Sequence, residues 1–421
     1  MGRRVAVVGG GAAGILAALA LRRAGAEAVV FERNPRVGIK IRISGGGKCN
    51  VTHAGTPREI ESGFIQREAR FLRHALHTLP PTAILSMLDA EGVALYTRPN
   101  GRVFPESGQS EEVLTAFESM MDRAAVSTAA GSAVAGLHVV DARACGVVLE
   151  GGSIERFDAV IVTTGGVSYP TVGTTGDGIR WGEQTGHVIE PLRAALAPIY
   201  LPHSPPKEWQ GVALRDVLLR VEGEAGPPLP RNEPYPASWR DDLLLTHRGV
   251  SGPAALETSR AAARALELGT APTLVVDMQP DAEEGAIERS LVEQVAGSGR
   301  TEIQNVLVAW MPRAIVPAVL ASAGVPHGRQ LAELTRPERR RIAETVRGWR
   351  IGAVGNVPIE RGEVSAGGIA LGEVDPRTMA SRRVPGLFFA GEVLDIAGSV
   401  GGYNLQAAFS TGWVAGTAAA G

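Results

Sequence analysis

The stretch Val5-Ala6-Val7-Val8-Gly9-Gly10-Gly11-Ala12-Ala13-Gly14 decides the fold of this 421-residue chain. It begins as an apolar strand, enters a glycine-rich turn and continues over residues 15–21 with apolar residues at helical spacing. A second apolar strand, residues 29–31, follows and ends at Glu32. Strand, glycine turn, helix, strand and acidic residue in this order are typical of a dinucleotide-binding βαβ unit.

Each glycine of the first turn has its own expected role. Gly9 allows the tight turn, Gly11 lets backbone amides approach a pyrophosphate, and Gly14 lets the helix pack closely on the strand. Unpaired amides and the positive end of the helix dipole then favour the pyrophosphate at the helix N-terminus. Glu32 is expected to accept hydrogen bonds from an adenosine ribose. The predicted cofactor-binding residues of this motif are Gly9, Gly11, Ala12, Ala13, Gly14, Glu32 and Arg33.

Composition narrows the class of protein. The chain has 42 basic and 44 acidic residues and a net charge of −2, so we expect a small-molecule substrate and no nucleic-acid or membrane partner. Two cysteines are too few for a disulfide framework, and the eight histidines are scattered, so no metal site is predicted. Arg3-Arg4 before an apolar run resembles a targeting segment, but consecutive glycines and Arg22-Arg23 interrupt it. The expected location is cytoplasmic, and the sequence leaves the oligomeric state open.

Changes in pattern along the chain predict its organisation. Residues 1–190 and 350–421 alternate strands and helices, which predicts one discontinuous α/β domain. Residues 191–281 have short apolar segments broken by prolines, as in 226–230, which predicts a β-rich insert. Residues 282–349 mix charged and apolar residues with few turn signals, which predicts a helical subdomain of that insert.

Two local predictions concern turns in the first domain. Pro99-Asn100-Gly101 predicts a loop over residues 98–107. Asp177 follows a hydroxyl-rich turn and is predicted to be the N-cap of a helix that begins near Ile179.

Three more glycine-marked segments follow the first motif. A glycine triplet in residues 40–50 is expected along the ribityl and ring part of a flavin, although a mobile surface loop is the alternative. The apolar strand 159–162 ends in glycines and points its carboxyl end at the ligand crevice. Glycines in residues 390–402 mark the turn into a final helix, which is expected to begin at about Asn404. Backbone amides at the N-terminus of this helix would stabilise a reduced flavin. The alternative is an ordinary glycine loop with Asn404 as the helix cap. These segments add the predicted cofactor-binding residues Lys40, Ser44, Gly45, Gly46, Asn50, Thr164, Gly165, Gly166, Gly391, Glu392, Gly401, Gly402, Asn404 and Leu405, and Val134 is predicted as a further one outside them.

In this order, the blocks resemble the bacterial YhiN-like and BaiN-like family of FAD-dependent oxidoreductases, within the glutathione-reductase-like flavoproteins. The resemblance spans nearly the whole chain and is carried by residues 9–14 with Glu32, Ile43-Ser44-Gly45-Gly46-Gly47-Lys48-Cys49-Asn50, Gly101-Arg102-Val103-Phe104-Pro105, Thr164-Gly165-Gly166-Val167-Ser168-Tyr169-Pro170, Thr246-His247-Arg248-Gly249-Val250-Ser251-Gly252-Pro253 and residues 390–406. It implies an α/β fold: a discontinuous Rossmann-like FAD-binding domain with an inserted β-barrel-like domain that carries a small helical subdomain.

The chain departs from the family pattern at a few positions. Family members usually carry arginine where this chain has Ile39 and Lys48, and lysine keeps the charge but lacks the planar fork of a guanidinium group. Residues 397–400 stand where relatives more often carry an acidic residue, proline and threonine. Because this loop is expected to face the flavin ring, substrate preference is expected to differ.

The resemblance implies FAD as cofactor, with hydride transfer at flavin N5 to or from a small-molecule substrate. NAD(P)H-linked reduction of an activated double bond is the leading expectation, with NAD(P)H as a transient donor. The candidate catalytic residues are His247, Tyr403 and Cys49, with Arg248 and Tyr169 as further candidates on the substrate side. A histidine beside a turn is more often structural, and Cys49 has no CxxC partner for a disulfide relay.

The sequence is also consistent with other functions. One is an amine or amino-acid oxidase that O₂ reoxidises, and another is a non-catalytic flavin redox sensor or electron carrier that binds a protein partner. A tRNA-modifying flavoprotein is disfavoured by the net charge of −2, because a basic face would be expected.

Overall fold

A computed structural model describes residues 2–224 and 235–421, so the proline-rich stretch 226–230 lies outside the described residues. The strands are β1 (Arg4–Val8), β2 (Glu27–Glu32), β3 (Thr52–His53), β4 (Leu95–Thr97), β5 (Arg102–Pro105), β6 (Ser127–Ala130), β7 (Val134–Val140), β8 (Arg143–Leu149), β9 (Ile154–Arg156), β10 (Ala159–Val162), β11 (Ile189–Ala195), β12 (Ile199–Tyr200), β13 (Ala213–Glu224), β14 (Ser238–Leu245), β15 (Gly249–Ser251), β16 (Ala271–Asp277), β17 (Trp349–Ala353), β18 (Val364–Ile369) and β19 (Leu387–Phe389). The helices are α1 (Ala12–Arg23), α2 (Ile39–Gly47), α3 (Pro57–Glu61), α4 (Gln66–Thr78), α5 (Pro81–Ala90), α6 (Ser110–Arg123), α7 (Asp177–Gln184), α8 (Pro253–Glu267), α9 (Ala286–Ser298), α10 (Ile303–Leu307), α11 (Val316–Ser322), α12 (Arg336–Arg347) and α13 (Tyr403–Ala420).

The described residues form two compact units. The first, called the nucleotide unit here, runs up to Arg193 and resumes at Gly362, and the second, called the insert unit, is Ala194–Arg361. Each unit has a hydrophobic core of its own. The division into domains at 190, 281 and 349 stays a prediction.

A parallel five-stranded sheet with the order β19-β10-β1-β2-β6 is the framework of the nucleotide unit. β10 is buried along its whole length and β1 along four of its five residues, as expected of strands covered on both faces. The glycine turn after β1 and the glycines after β10 lie at the same carboxyl edge. The predicted Rossmann-like fold is confirmed.

Helices α1 and α13 pack against each other through small residues. A Cβ atom at Gly412 would lie 2.1 Å from the carbonyl oxygen of Ala13, and one at Gly416 would lie 2.2 Å from that of Ala17. These distances leave no room for a side chain, so glycine at both positions sets how closely the helices approach.

Two local predictions were wrong. Residues 98–107 are not all loop, because Arg102–Pro105 forms β5, which pairs antiparallel with β4 and with β3. Pro99–Gly101 is then the turn of a hairpin. The N-cap of α7 is Gly176, in a left-handed conformation with φ of 76°, and Asp177 is the first helical residue. The Asp177 carboxylate forms ion pairs with Arg33 and Arg180 and does not cap the helix.

The insert unit is built on an antiparallel sheet with the order β12-β15-β14-β13-β16-β17. Tyr200 in β12 also bridges to Asn356, just after β17, and its N–H donates to the Asn356 carbonyl at 2.8 Å. The two edges of the sheet therefore meet, as in a barrel. Helices α9 to α12 lie between β16 and β17 in the sequence and contribute to the same core.

Candidate functional site

The turn between β1 and α1 is tightly packed on one side and open on the other. A Cβ atom at Gly9, where φ is 105°, would lie 2.6 Å from the carbonyl oxygen of Thr163, and one at Gly14 would lie 1.9 Å from that of Gly9. At Gly11, the N-cap of α1, a built Cβ has no heavy atom of the described residues within 4 Å apart from those of its immediate chain neighbours, and no side chain among them caps the helix. A helix N-terminus left open in this way is suited to bind a phosphate.

Glu32 ends β2 and folds back onto this turn. Its Oε2 accepts a hydrogen bond from the N–H of Gly10 at 2.8 Å, and its Oε1 accepts from Asn34 N at 2.8 Å and Asn34 Nδ2 at 2.7 Å. Carboxylate oxygens have further lone pairs, so Glu32 can still accept the expected hydrogen bond from a ribose hydroxyl. Ser132 N donates to the backbone oxygen of Glu32 at 2.9 Å, which brings the segment before Val134, another predicted binding residue, beside β2.

Arg33, the residue that follows β2, forms an ion pair with Asp177. Its Nη2 donates to Asp177 Oδ2 at 2.6 Å and its Nη1 to Thr175 Oγ1 at 2.8 Å. Partial burial raises the pKa of Asp177, but hydrogen bonds from Thr175 and Arg180 and the charge of Arg33 outweigh it, so the pKa is lowered. The pair fixes the start of α7 against the end of β2.

Lys40 connects three segments that carry predicted binding residues. Its Nζ donates to Glu392 Oε2 at 2.5 Å and to Ser168 Oγ at 2.7 Å. Glu392 Oε1 in turn accepts from Ser365 N at 2.9 Å and from both serine hydroxyls at 3.1 Å. A Cβ at Gly166 would lie 2.0 Å from Ser365 Oγ, so glycine is required beside this cluster. We call Lys40, Ser168, Ser365 and Glu392 the lysine cluster.

The glycine triplet after Lys40 breaks α2. Ser44 leaves the helical conformation with ψ of 148°, and Gly45, Gly46 and Gly47 have φ of 57°, 67° and 84°. At Gly46 and Gly47 a built Cβ has no heavy atom of the described residues within 4 Å apart from those of the local chain itself. The segment is therefore an exposed backbone surface that a ligand can approach closely.

The N-terminus of α13 rests on the segment that follows the triplet. With its amide oriented to satisfy both ends, Asn50 accepts from Gly402 N at 3.0 Å and donates to Thr52 O at 3.0 Å. A Cβ at Gly402, where φ is 91°, would lie 2.4 Å from the backbone carbon of Thr52. Gly402 is the N-cap, and Asn404 instead binds Gly398 N at 2.8 Å and Gly398 O at 2.9 Å, so capping by Asn404 was wrong.

The glycines after β10 and β19 complete this edge of the sheet. Thr164 Oγ1 is buried and has no hydrogen-bond partner in the described part of the chain, which is uncommon for a buried hydroxyl. Gly165, next to it, has φ of 77°. Gly391 donates its N–H to Thr411 Oγ1 of α13 at 3.0 Å, and Leu405 packs against the core.

The three candidate catalytic residues have different surroundings. Tyr403 is half-buried at the start of α13, and its ring stacks on that of His53. Cys49 is fully buried, and burial raises the pKa of its thiol to about 12 against a small opposing effect of Ser44, so the thiol is a poor nucleophile at neutral pH. His247 belongs to the insert unit, in the turn between β14 and β15.

The residues of the nucleotide unit fit FAD. The open N-terminus of α1, the close-packed Gly9 and Gly14, and the partnerless Thr164 hydroxyl are the features that a bound dinucleotide would satisfy. The sequence missed His53 and Ser365, because each lies in a strand and gains its role from residues far away in the chain. The motif containing Gly101 and Arg102 is the signal by which His53 could have been found, because His53 pairs with Arg102.

A family model described as HI0933-like protein Rossmann domain matches residues 3–418. The chain belongs to this family. The match confirms the resemblance to YhiN-like and BaiN-like proteins, and with it the predicted class of FAD-dependent oxidoreductase.

Proteins whose names state an activity are similar to this chain over nearly its full length. The 3-dehydro-bile acid delta(4,6)-reductase of Clostridium scindens is 28% identical over 421 residues, which is 99% of each chain. The ribosomal RNA dihydrouridine synthase of Escherichia coli K12 is 27% identical over 413 residues, or 97% of this chain and 95% of the relative. The fold is similar to that of 3-ketosteroid-delta4-(5alpha)-dehydrogenase from Rhodococcus jostii RHA1, with a TM-score of 0.53, 14% identity and coverage of 100% of this chain and 97% of that one.

Residues 2–224 and 235–421 lack two other kinds of feature. No cluster of three or more His, Cys, Asp or Glu side chains in these ranges is placed to hold a metal ion. No helix within them combines the length and the apolar character needed to cross a membrane.

Proposed function

We propose that the protein reduces a carbon–carbon double bond conjugated to a carbonyl group, with NAD(P)H as the electron donor. The observation that carries the proposal is Tyr403, a phenol at the first residue of the helix whose N-terminus bears the last flavin motif. When one carbon of the double bond gains a hydride, the adjacent carbon needs a proton, and tyrosine is a suitable donor of that proton.

The activities named for two relatives support the same bond change. Reduction of a bile-acid enone and reduction of uracil to dihydrouracil both saturate a double bond conjugated to a carbonyl. The substrates differ greatly in size, so the relatives support the chemistry more strongly than the substrate. A small-molecule enone is the substrate we propose.

We assign the following roles to the residues of the chain. FAD, when bound, supplies two-electron hydride chemistry. The N-terminus of α1 would hold its phosphates and Glu32 its ribose, while the lysine cluster holds together the segments at Lys40, Gly166 and Glu392. Overall, the β carbon of the substrate gains a hydride that originates from NAD(P)H, and the α carbon gains the proton of Tyr403 Oη. Water then reprotonates the phenolate, and NAD(P)⁺ leaves.

The test measures the two half-reactions separately. Purified protein should show flavin absorbance that bleaches when NADH or NADPH is added anaerobically and returns when an enone is added. Tyr403→Phe should leave the bleaching unchanged and slow the return by about 10²-fold or more. Bleaching by an amine, with peroxide formed on return to air, would instead indicate an oxidase. A flavin that no small molecule reduces would favour a redox sensor or electron carrier.

Glu363 provides a second arm of this test. Its side chain is exposed to solvent on one side, while the protein around the carboxyl group raises its pKa and the charges of Arg102 and Lys40 partly oppose this rise. A carboxyl with a raised pKa can donate a proton. If Glu363→Gln slows the enone step and Tyr403→Phe does not, the proton donor is Glu363.

Uracil in RNA is the second candidate substrate, favoured by the relatives named ribosomal RNA dihydrouridine synthase. The net charge of −2 argues against it, since RNA-binding proteins commonly present a basic face. Incubation of reduced protein with unmodified ribosomal RNA, followed by mass analysis of its nucleosides, distinguishes the substrates. Formation of dihydrouridine without enone turnover would exclude our first choice.

A further inference from the structure

The imidazole of His53 and the phenol of Tyr403 form a stacked pair. Their ring centroids are 4.7 Å apart and their planes differ by 21°. Phe64 meets the Tyr403 ring edge to face, at 6.2 Å and 89°. The phenol ring is therefore held by His53 on a face and by Phe64 in a second direction, a combination that restricts its rotation.

The imidazole is itself fixed by the backbone. Its Nδ1 lies 2.8 Å from the carbonyl oxygen of Ala54, and its Nε2 lies 3.0 Å from that of Asn100. Carbonyl oxygens only accept, so at least one of these contacts is a hydrogen bond donated by the ring, whichever tautomer is present. The ring plane is set by residues on both sides, from the end of β3 and from the hairpin turn before β5.

Three glycines surround the pair closely. A Cβ at Gly101 would lie 2.1 Å from His53 Cε1, one at Gly63 would lie 2.3 Å from Tyr403 Cδ1, and one at Gly401 would lie 3.2 Å from Tyr403 Cε2. Gly101 and Gly401 have positive φ, so their backbone conformation already favours glycine. Gly63 does not, so at this position it is the nearness of the Tyr403 ring that leaves no space for a side chain.

We propose that His53 is a positioning residue for Tyr403: it holds the phenol in the orientation from which the substrate receives its proton. The proposal rests on the proposed function, because the proton step is assigned there to Tyr403. His53 is not itself assigned contact with substrate or cofactor. A misplaced donor slows proton transfer by about 10- to 100-fold without a matching loss of substrate binding.

The first test is independent of activity. Protein labelled with 3-fluorotyrosine contains five tyrosines, and Tyr403→Phe identifies the ¹⁹F resonance of Tyr403. His53→Ala should shift that resonance towards the value of free fluorotyrosine, whereas His53→Phe, which keeps a stacking ring, should shift it far less. His74→Ala, at an exposed position on α4, is the matched control and should not move it. No movement in His53→Ala overturns the proposal.

The second test uses the half-reactions. His53→Ala should slow reoxidation by the enone about 10- to 100-fold, with little change in the enone concentration at half-saturation and none in reduction by NADPH. His53→Phe should recover most of the rate. The double variant His53→Ala/Tyr403→Phe should be no slower than Tyr403→Phe alone, because both changes act through one group. Additive losses would show that His53 acts independently and would overturn the proposal.

The two tests separate the proposal from the function on which it rests. If wild-type protein does not reduce enones, the proposed function fails, while the ¹⁹F shift still reports whether His53 orients Tyr403. If enones are reduced and Tyr403→Phe is as fast as wild type, the proton donor is elsewhere and the positioning role of His53 is rejected. His53→Phe also guards against misfolding, since it preserves the ring that fills the space between the glycines.

Discussion

Gly416 of α13 lies so close to α1 that a Cβ atom on it would be 2.2 Å from the carbonyl oxygen of Ala17. The neighbouring atom is backbone, which cannot rotate away as a side chain can. The contact therefore ties the helix that starts at the Tyr403 site to the helix that starts at the dinucleotide turn.

Gly416→Ala should destabilise the nucleotide unit by about 1–3 kcal/mol, although alanine is the better helix former. Urea unfolding of flavin-free protein measures this effect. Thr417→Ala, at the next and exposed position of α13, is the control and should change the midpoint little. Equal stability of the two variants would mean that the helices can separate without cost.

Gly11→Ala should lower FAD binding while leaving the stability of the flavin-free protein unchanged. Beyond its chain neighbours, a Cβ at Gly11 has no heavy atom of the described residues within 4 Å, so it enters the space expected for the pyrophosphate. The ratio of flavin to protein absorbance measures occupancy. Gly14→Ala is the contrasting variant: its Cβ would lie 1.9 Å from the oxygen of Gly9, so it should lower stability as well as occupancy. Full FAD occupancy in Gly11→Ala would contradict the assigned pyrophosphate position.

Lys40→Met should destabilise the flavin-free protein by about 1–3 kcal/mol, because it leaves the Glu392 carboxylate without its counter-charge. Both side chains are partly buried, with 25% and 15% of their surfaces exposed. The double variant Lys40→Met/Glu392→Gln should lose less stability than the sum of the single changes, with a coupling of about 1 kcal/mol. Lys207→Met, at an exposed position, is the control. Strictly additive losses would show that the Lys40–Glu392 ion pair does not contribute to stability.

Cys49 should resist alkylation by iodoacetamide at pH 8 in the native protein, whereas Cys145, which is only half-buried, should react. Mass spectrometry of digested protein locates the modified cysteine. Cys145→Ser should then take up no reagent until it is unfolded. Rapid labelling of Cys49 would show that its thiol is accessible.

The same thiol predicts a direction for stability at high pH. The pKa of Cys49 is raised from its ordinary value of 9.0 to about 12 in the folded protein. Between these values the unfolded chain has released a proton that the folded chain retains, so stability falls as pH rises from 9 to 12. Cys49→Ala should show a smaller fall over that window when urea midpoints are compared.

Local sequence patterns predicted the parts of this site whose residues are close in the chain. Glycine spacing and the acidic residue after β2 identified the dinucleotide turn, because a βαβ unit is completed within a short segment. The hydrogen bonds of Ser365 with Glu392 and the stacking of His53 on Tyr403 were not predicted. Each joins residues from distant segments, and a propensity pattern contains no information about which segments meet.

Two of the wrong predictions have the same cause. Asp177 has the right chemistry for a helix cap, but an ion pair with Arg33 competes for its carboxylate. Residues 98–107 carry turn signals at their start, yet Arg102–Pro105 becomes a strand because β3 and β4 pair with it on both sides. Tertiary pairing overrides the local preference in both cases.

The pairing of β10 with β19 has a consequence for the order of folding. Val160 pairs with Leu387, and all residues of the insert unit lie between these two in the sequence. The parallel sheet cannot be completed until the ribosome has synthesised that long intervening segment. Strand pairs between residues so far apart in the sequence also form slowly. The insert unit, whose residues are contiguous, can reach its native core earlier, so the nucleotide unit is expected to wait as a partly folded intermediate with an unpaired sheet edge.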